Sequence, residues 1–269
     1  MALPAHHPPV KSQSTSRLRV LALQVLAVVV VLVIWTAVRA ADLVGTAVLP
    51  SPLAVFKALL DAVVTGRFWA SVGFTLEAAV LGLLLSLVVG IPLGLVTGVY
   101  APAERSSRLV VDVGRAFPVF AILPVLLLVI GATTSMKVAC VFIACVFPVW
   151  LQAQYGAQSL DPTVQETVRS YRIPRGLRFR KVILPAALPS IMTGIRLAAT
   201  TSVLVCVGVE ILTSIHGIGA RITELQVDGA SAGTFAYILV CGALGFVITK
   251  LSELAEERVL RWRPPSESE

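Results

Sequence analysis

Apolar positions run through this chain in long unbroken blocks. The first, residues 20–38, holds 19 residues of which only Gln24 and Thr36 are polar. At about 1.5 Å per residue, a helix of that length crosses a hydrocarbon core of about 30 Å. A cleaved secretory signal is the competing reading, since Val38-Arg39-Ala40 loosely suits a processing site. Signal cores normally end at about 7–15 apolar residues, so the block reads as a retained first span. Five further spans are predicted at residues 78–99, 117–133, 138–155, 189–213 and 229–249. The fold class this predicts is all-α, a polytopic membrane protein with about six transmembrane helices.

Composition supports the bilayer setting. Hydrophobic residues make up 57% of the chain and charged ones 14%, with mean hydropathy +0.88, against about 25% charged residues in soluble domains. The loops left over are too short for a separate soluble catalytic domain. Net charge +7 is the excess of Lys and Arg that polytopic proteins keep on cytoplasmic loops, so no nucleic-acid partner is called for. With the N-terminus inside, 14 of the 22 Lys and Arg fall on inner segments and only Arg39, Lys57, Arg67, Lys137 and Arg221 on outer ones, which predicts that both termini are cytoplasmic. Arg115, Arg196 and Lys250 sit in or beside spans near the inner face, where long side chains reach the headgroups. Asp112, three residues before Arg115, is placed to form a helix-surface ion pair with it, while Glu77 and Glu210 fall near the outer interface in structural roles.

Smaller features refine this outline. The first outer loop, residues 39–72, carries Leu49-Pro50-Ser51-Pro52 and then a short amphipathic helix ending near Gly66. The segments up to Ser16 and after Arg263 lack apolar periodicity and are expected to be disordered, with His6 and His7 in solvent. Gly90, Gly94 and Gly98 recur every four residues and leave one helix face bare for close packing. Pro92, Pro118, Pro124 and Pro148 either kink helices around a pathway or mark irregular packing. Cys140, Cys145, Cys206 and Cys241 lie in apolar runs without CxxC spacing and read as core hydrophobes, with no metal site or disulfide framework. The implied division is a tail over residues 1–18, a transmembrane domain over 19–252 with its core at about 70–252, and a tail over 253–269.

The loop at residues 156–188 is too polar for lipid and too patterned for a linker. Asp161 can cap a first short helix, and Pro162 suits its first position. Val164, Val168 and Tyr171 fall on roughly one face, while Glu166, Arg169 and Ser170 are polar. Pro174 and Gly176 then break the chain before Leu177 to Ile183 resume.

This loop resembles that of permease subunits of bacterial ABC importers, whose signature reads E-A-A, three residues, Gly, nine residues, Ile, any residue, Leu-Pro. The matching positions are Glu166, Thr167, Val168, Arg172, Val182, Leu184 and Pro185. The run from Arg178 to Ala198 looks most like the nitrate, sulfonate and taurine type, and the resemblance extends over about residues 48–263. It implies a type I ABC importer permease fold in the bacterial inner membrane. It also implies a coupling hairpin, Asp161 to Pro189, in which Asp161, Pro162, Glu166, Thr167, Val168, Arg169, Ser170, Tyr171, Arg172, Pro174, Leu184 and Pro185 contact an ATPase subunit. Implied partners are a second permease copy or paralogue, two cytoplasmic ATPases that carry ATP and Mg, and an extracytoplasmic substrate-binding protein. The cargo it suggests is a small organic anion such as a sulfonate. Thr167 and Val168 replace the paired alanines and Arg172 the glycine, so the turn there is expected to differ or be strained. These changes suggest a specialised ATPase or a mixed permease pair.

Chemistry is absent from the remaining motifs. No GxxxxGK[ST] phosphate loop occurs, so ATP binds on a partner and the chain itself needs no cofactor. No G-x-S-x-G nucleophile accompanies His216, which reads as an outer-loop residue. An ion-coupled secondary transporter would carry buried carboxylates at midspan, and a membrane-embedded enzyme would carry a clustered acid, base or metal set. Neither pattern stands out.

Overall fold

The computed structural model describes residues 17–41, 45 and 48–262, which contain helices and no strands. The expected disordered tails, with His6 and His7, lie outside the described residues. In chain order the helices are α1 (Arg17–Ala40), α2 (Pro52–Val63), α3 (Gly66–Val99), α4 (Ala101–Ala116), α5 (Leu123–Ile130), α6 (Thr134–Gln158), α7 (Pro162–Ser170), α8 (Arg175–Arg178), α9 (Leu184–Thr213), α10 (Ile218–Val227) and α11 (Ser231–Val259). Five are long and apolar enough to cross a membrane: α1, α3, α6, the one containing α9, and α11. Side-chain caps set the starts of α2, α3 and α6. Ser51, Thr65 and Thr133 each accept a hydrogen bond from a first-turn amide, at Ala54 (3.1 Å), Phe68 (3.3 Å) and Met136 (3.3 Å).

The core is the triplet α3, α6 and α9. Helices α3 and α6 run parallel with glycines at the seam, where the predicted bare face is used. A Cβ on Gly98 would lie 2.6 Å from the Ala157 Cβ, and one on Gly94 would strike the Trp150 carbonyl. Only a backbone without side chains lets α6 come this close. Buried Ala78, Val141, Cys145, Val149, Ala198 and Cys206 fill the centre, with Cys140 and Cys206 fully enclosed as the small hydrophobes expected of them. A second cluster joins α2 and α10 to α3 and α11 through Phe68, Val72, Ile218, Ile222 and Tyr237. By contrast, α1 buries no side chain among the described ones, residues 19–40. It is tied by Trp35, whose Nε1 donates to the Pro50 carbonyl at 3.0 Å and whose ring lies 5.6 Å from that of Phe235.

The third predicted span, residues 117–133, is a broken crossing instead of one helix. Phe117 precedes proline and is extended (φ −71°, ψ 126°), Pro118 continues in the same region, and a single 3-10 turn covers Val119–Ala121. Helix α5 then runs eight residues from the Pro124 turn to Gly131, which ends it at φ 78°. Two prolines and a glycine thus cut an apolar run whose composition alone is span-like. The segment before it, read as loop, is the amphipathic helix α4. The helix is pinned by Gly114, where an added Cβ would overlap the Phe147 ring, midway along α6. Asp112 and Arg115 do form the expected ion pair, at 3.2 Å. Contact with Phe147 lifts them from the expected interface to the middle of the bundle. Arg196 stays near one end, 3.4 Å from Glu256 in the last turn of α11.

Candidate functional site

The hairpin between α6 and α9 is built as its pattern predicted at the start and turns sharply in its middle. Asp161 caps α7, its Oδ1 accepting from the Thr163 amide at 2.7 Å, and Pro162 occupies the first turn. That amide stabilises the ionised form and holds the Asp161 carboxyl below its ordinary range. Glu166, Thr167, Val168, Arg169 and Ser170 complete α7. Val168 is buried, but Val164 and Tyr171 are 41% and 79% exposed, so the three do not share one buried face. The reason is that the helix stops at Ser170, and Tyr171 is the cap that swings out of register.

The turn after Tyr171 is a Schellman motif. The Ile173 amide donates back to the Val168 carbonyl (3.2 Å) and the Arg172 amide to Arg169 (3.0 Å). Arg172 therefore sits in the left-handed region at φ 50°, the position where glycine is preferred. The turn keeps a geometry that suits glycine and the arginine is strained in it, at about 1 kcal/mol. Pro174 then caps α8, and the chain widens into a π turn at Phe179–Ile183, closed by the Leu184 amide donating to the Phe179 carbonyl. Leu184 and Pro185 open α9 directly behind it.

Both arms of the hairpin are fixed to the bundle. Ile183, Ala187 and Ile191 pack with Leu95, Ala153 and Ala157 from α3 and α6, with Leu160 and Leu184 against them. A Cβ on Gly156 would lie 2.7 Å from the Ala187 carbonyl, so α6 and α9 touch backbone to backbone at the root. The outer surface is unsatisfied by comparison. Val164, Tyr171, Leu177 and Phe179 are exposed, and Arg169, Arg172, Arg175, Arg178, Arg180 and Lys181 enter no ion pair among the described residues. A rigid element with an apolar and basic face free is suited to be held by another protein.

The opposite end of the bundle holds a charged network that sequence reasoning missed. Lys137, expected on an outer loop, lies in the first turn of α6 behind its Thr133 cap and has no exposed surface. Its Nζ donates to Glu210 Oε1 (2.8 Å) and to the carbonyls of His216 (2.8 Å) and Phe74 (3.2 Å), which uses all three of its protons. Glu210, also fully buried, accepts in addition from Thr75 Oγ1 (2.9 Å) and the Gly219 amide (3.0 Å), and Thr75 accepts from the Ile218 amide (3.0 Å). Gly217 must lack a side chain because a Cβ there would overlap the Glu210 carboxylate. His216 is a loop residue as expected, its ring 5.8 Å from Phe74. The missed signal was a lone lysine one turn inside a threonine-capped apolar helix. Among the described residues, no group of three or more His, Cys, Asp or Glu could hold a metal ion.

Residues 90–261 match the family described as binding-protein-dependent transport system inner membrane component. The chain belongs to that family. It is a membrane permease component of an ABC importer, a transport subunit and not an enzyme. Among its relatives, the putative aliphatic sulfonates transport permease protein SsuC of Bacillus subtilis (strain 168) is 28% identical over 238 residues, spanning 87% of this chain and 85% of that one. The taurine transport system permease protein TauC of Escherichia coli (strain K12) is 24% identical, over 87% and 86% of the two chains. The nitrate import permease protein NrtB of Leptolyngbya laminosa is 28% identical, over 72% and 70%. An inward-facing structure of the MetNI methionine ABC transporter shares the fold at a TM-score of 0.60 and 17% identity, covering 72% of the permease and 95% of that chain. Permeases of this kind work with ATPases and substrate-binding proteins.

Proposed function

We propose that this permease carries a small organic anion inward, powered by separate ATPase subunits that grip the α7–α8 hairpin. The observation that carries the reading is the hairpin itself, capped at Asp161, rooted at Gly156 against Ala187, and left with an exposed apolar and basic tip. A short rigid segment joined to two spans transmits a partner's closure as a change in which side of the pathway is open. Its contact residues are Asp161, Pro162, Glu166 through Arg172, Pro174, Leu184 and Pro185. A groove that receives this tip needs apolar walls and carboxylates to answer the six cations.

On this reading the hairpin and both termini face the cytoplasm across the inner membrane, and the Lys137–Glu210 end faces outward. A second permease completes the pathway, two ATPases supply ATP and Mg, and a binding protein delivers cargo to the outer loops. The anionic cargo follows the names of the sulfonate, taurine and nitrate relatives. An ion-coupled transporter draws some support from the buried carboxylate of Glu210, yet that group is held by Lys137, Thr75 and the Gly219 amide. Reconstitution of the permease with its ATPase in vesicles tests the proposal. Uptake that requires ATP is expected, and uptake driven by a proton or sodium gradient without ATP overturns it.

A further inference from the structure

Helix α4 has three faces. Glu104, Ser107, Val111 and Gly114 turn toward the bundle, with Val111 buried and Gly114 against Phe147. Leu109, Val110 and Val113 are exposed at 54–73%, a face compatible with lipid. The third face is charged. Arg105, Arg108, Asp112 and Arg115 follow one another at three- and four-residue steps, and all four are exposed. The only ion pair among them is Asp112 with Arg115, each about half exposed.

Depth makes this face unusual. Gly114 meets Phe147, which stands midway between Lys137 at one end of α6 and Ala157 at the other. Those two residues are 20 positions apart, about 30 Å along a helix and so about one hydrocarbon thickness. The charged face therefore starts near the hairpin end and climbs to the middle of the membrane. Half-exposed charges at mid-depth are too far from either surface to reach headgroups and are strongly disfavoured against lipid. They need water.

We infer that this face of α4 lines a water-filled lane through the inner half of the membrane, and that its excess of guanidinium groups makes the lane selective for anions, with Arg115 at its upper end. The inference rests on the permease reading above. It adds the stretch of wall the cargo passes and the chemical class, a small monoanion such as a sulfonate, that the wall attracts. Asp112 holds the Arg115 side chain along the wall and tempers its charge, so an anion is attracted without being trapped.

The test uses the complete complex in vesicles, with ATP-dependent uptake followed in parallel. Asp112→Cys is exposed to two water-soluble methanethiosulfonates, one bearing a sulfonate and one a trimethylammonium, with and without ATP. Each rate is divided by that of the same reagent with free mercaptoethanol, and background from Cys140, Cys145, Cys206 and Cys241 is read on the unsubstituted complex. Labelling is expected, with the sulfonate reagent favoured roughly fivefold, the effect of about one uncompensated charge close by. Adding Arg115→Gln should cut that preference by at least half. No labelling at position 112 in either nucleotide state overturns the lane, because the face is then closed against lipid or the second permease. A preference for the cationic reagent overturns anion selectivity, and a preference untouched by Arg115→Gln overturns the part given to Arg115. Loss of ATP-dependent uptake by the unsubstituted complex, with labelling intact, would count against the transport reading and leave the lane standing.

Discussion

The two ends of the bundle treat charge in opposite ways. Around Lys137 and Glu210 the charges are fully buried and each is met by several partners. At the hairpin five cations stand exposed and a sixth, Arg178, half-buried, beside Tyr171 and Leu177, and none enters an ion pair among the described residues. A buried pair is held by the low dielectric around it and tolerates no loss of a member, whereas exposed charges contribute little to the fold and remain available to a partner. The first end is built to stay fixed and the second to be gripped.

The largest test of that contrast is Lys137→Met. Leaving Glu210 buried without its cation should destabilise the permease by about 3–5 kcal/mol, while Lys137→Met with Glu210→Met should recover much of the loss. Thermal unfolding in detergent measures both, and an unchanged Tm for the single variant breaks the comparison. Next is Gly156→Val at the root of the hairpin, where the new side chain must displace the Ala187 carbonyl. Overpacking of about 1–3 kcal/mol is expected, together with weaker recovery of ATPase on purification. An Arg169→Gln, Arg175→Gln variant at the tip should lose ATPase recovery with no change in Tm.

Arg172→Gly should act in the other direction. It relieves the left-handed backbone and stabilises the turn by about 1 kcal/mol, read as slower proteolysis of the hairpin. If Arg172 also contacts the ATPase, coupling falls while the turn tightens, and the two readouts separate. The smallest effect concerns Asp161. Its carboxyl is held low by the Thr163 amide, so the cap is complete above the ordinary aspartate value of 3.8 and is lost as pH falls through the lower folded value. The protection of the Thr163 amide, relative to the intrinsic exchange rate at each pH, should therefore be flat near neutrality and fall only in acid, and Asp161→Asn should remove the acid step.

Much of this molecule was legible beforehand because the signals are local. Apolar runs of sufficient length marked the long helices, and Asp161-Pro162 marked the start of α7. The four-residue glycine repeat marked the α3 face that meets α6. The third span was misread for a physical reason. An apolar run reports what surrounds it, whereas Phe117-Pro118 and Gly131 decide whether its backbone can run straight. The face shared by Val164, Val168 and Tyr171 failed because the helix ends one residue before Tyr171.

By itself the sequence determined the helical class, the long apolar spans, the capped hairpin and the family to which the chain belongs. Each depends on neighbours within a turn or two along the chain. Tertiary structure alone decided depth and pairing. It brought Lys137 and Glu210 together across 73 residues and raised Asp112 and Arg115 to the middle of the bundle by setting Gly114 on Phe147. The same charged residue can be a headgroup anchor, a buried clamp or a pathway wall. What separates these outcomes is the dielectric and the partner that folding supplies, and neither is written at the residue itself.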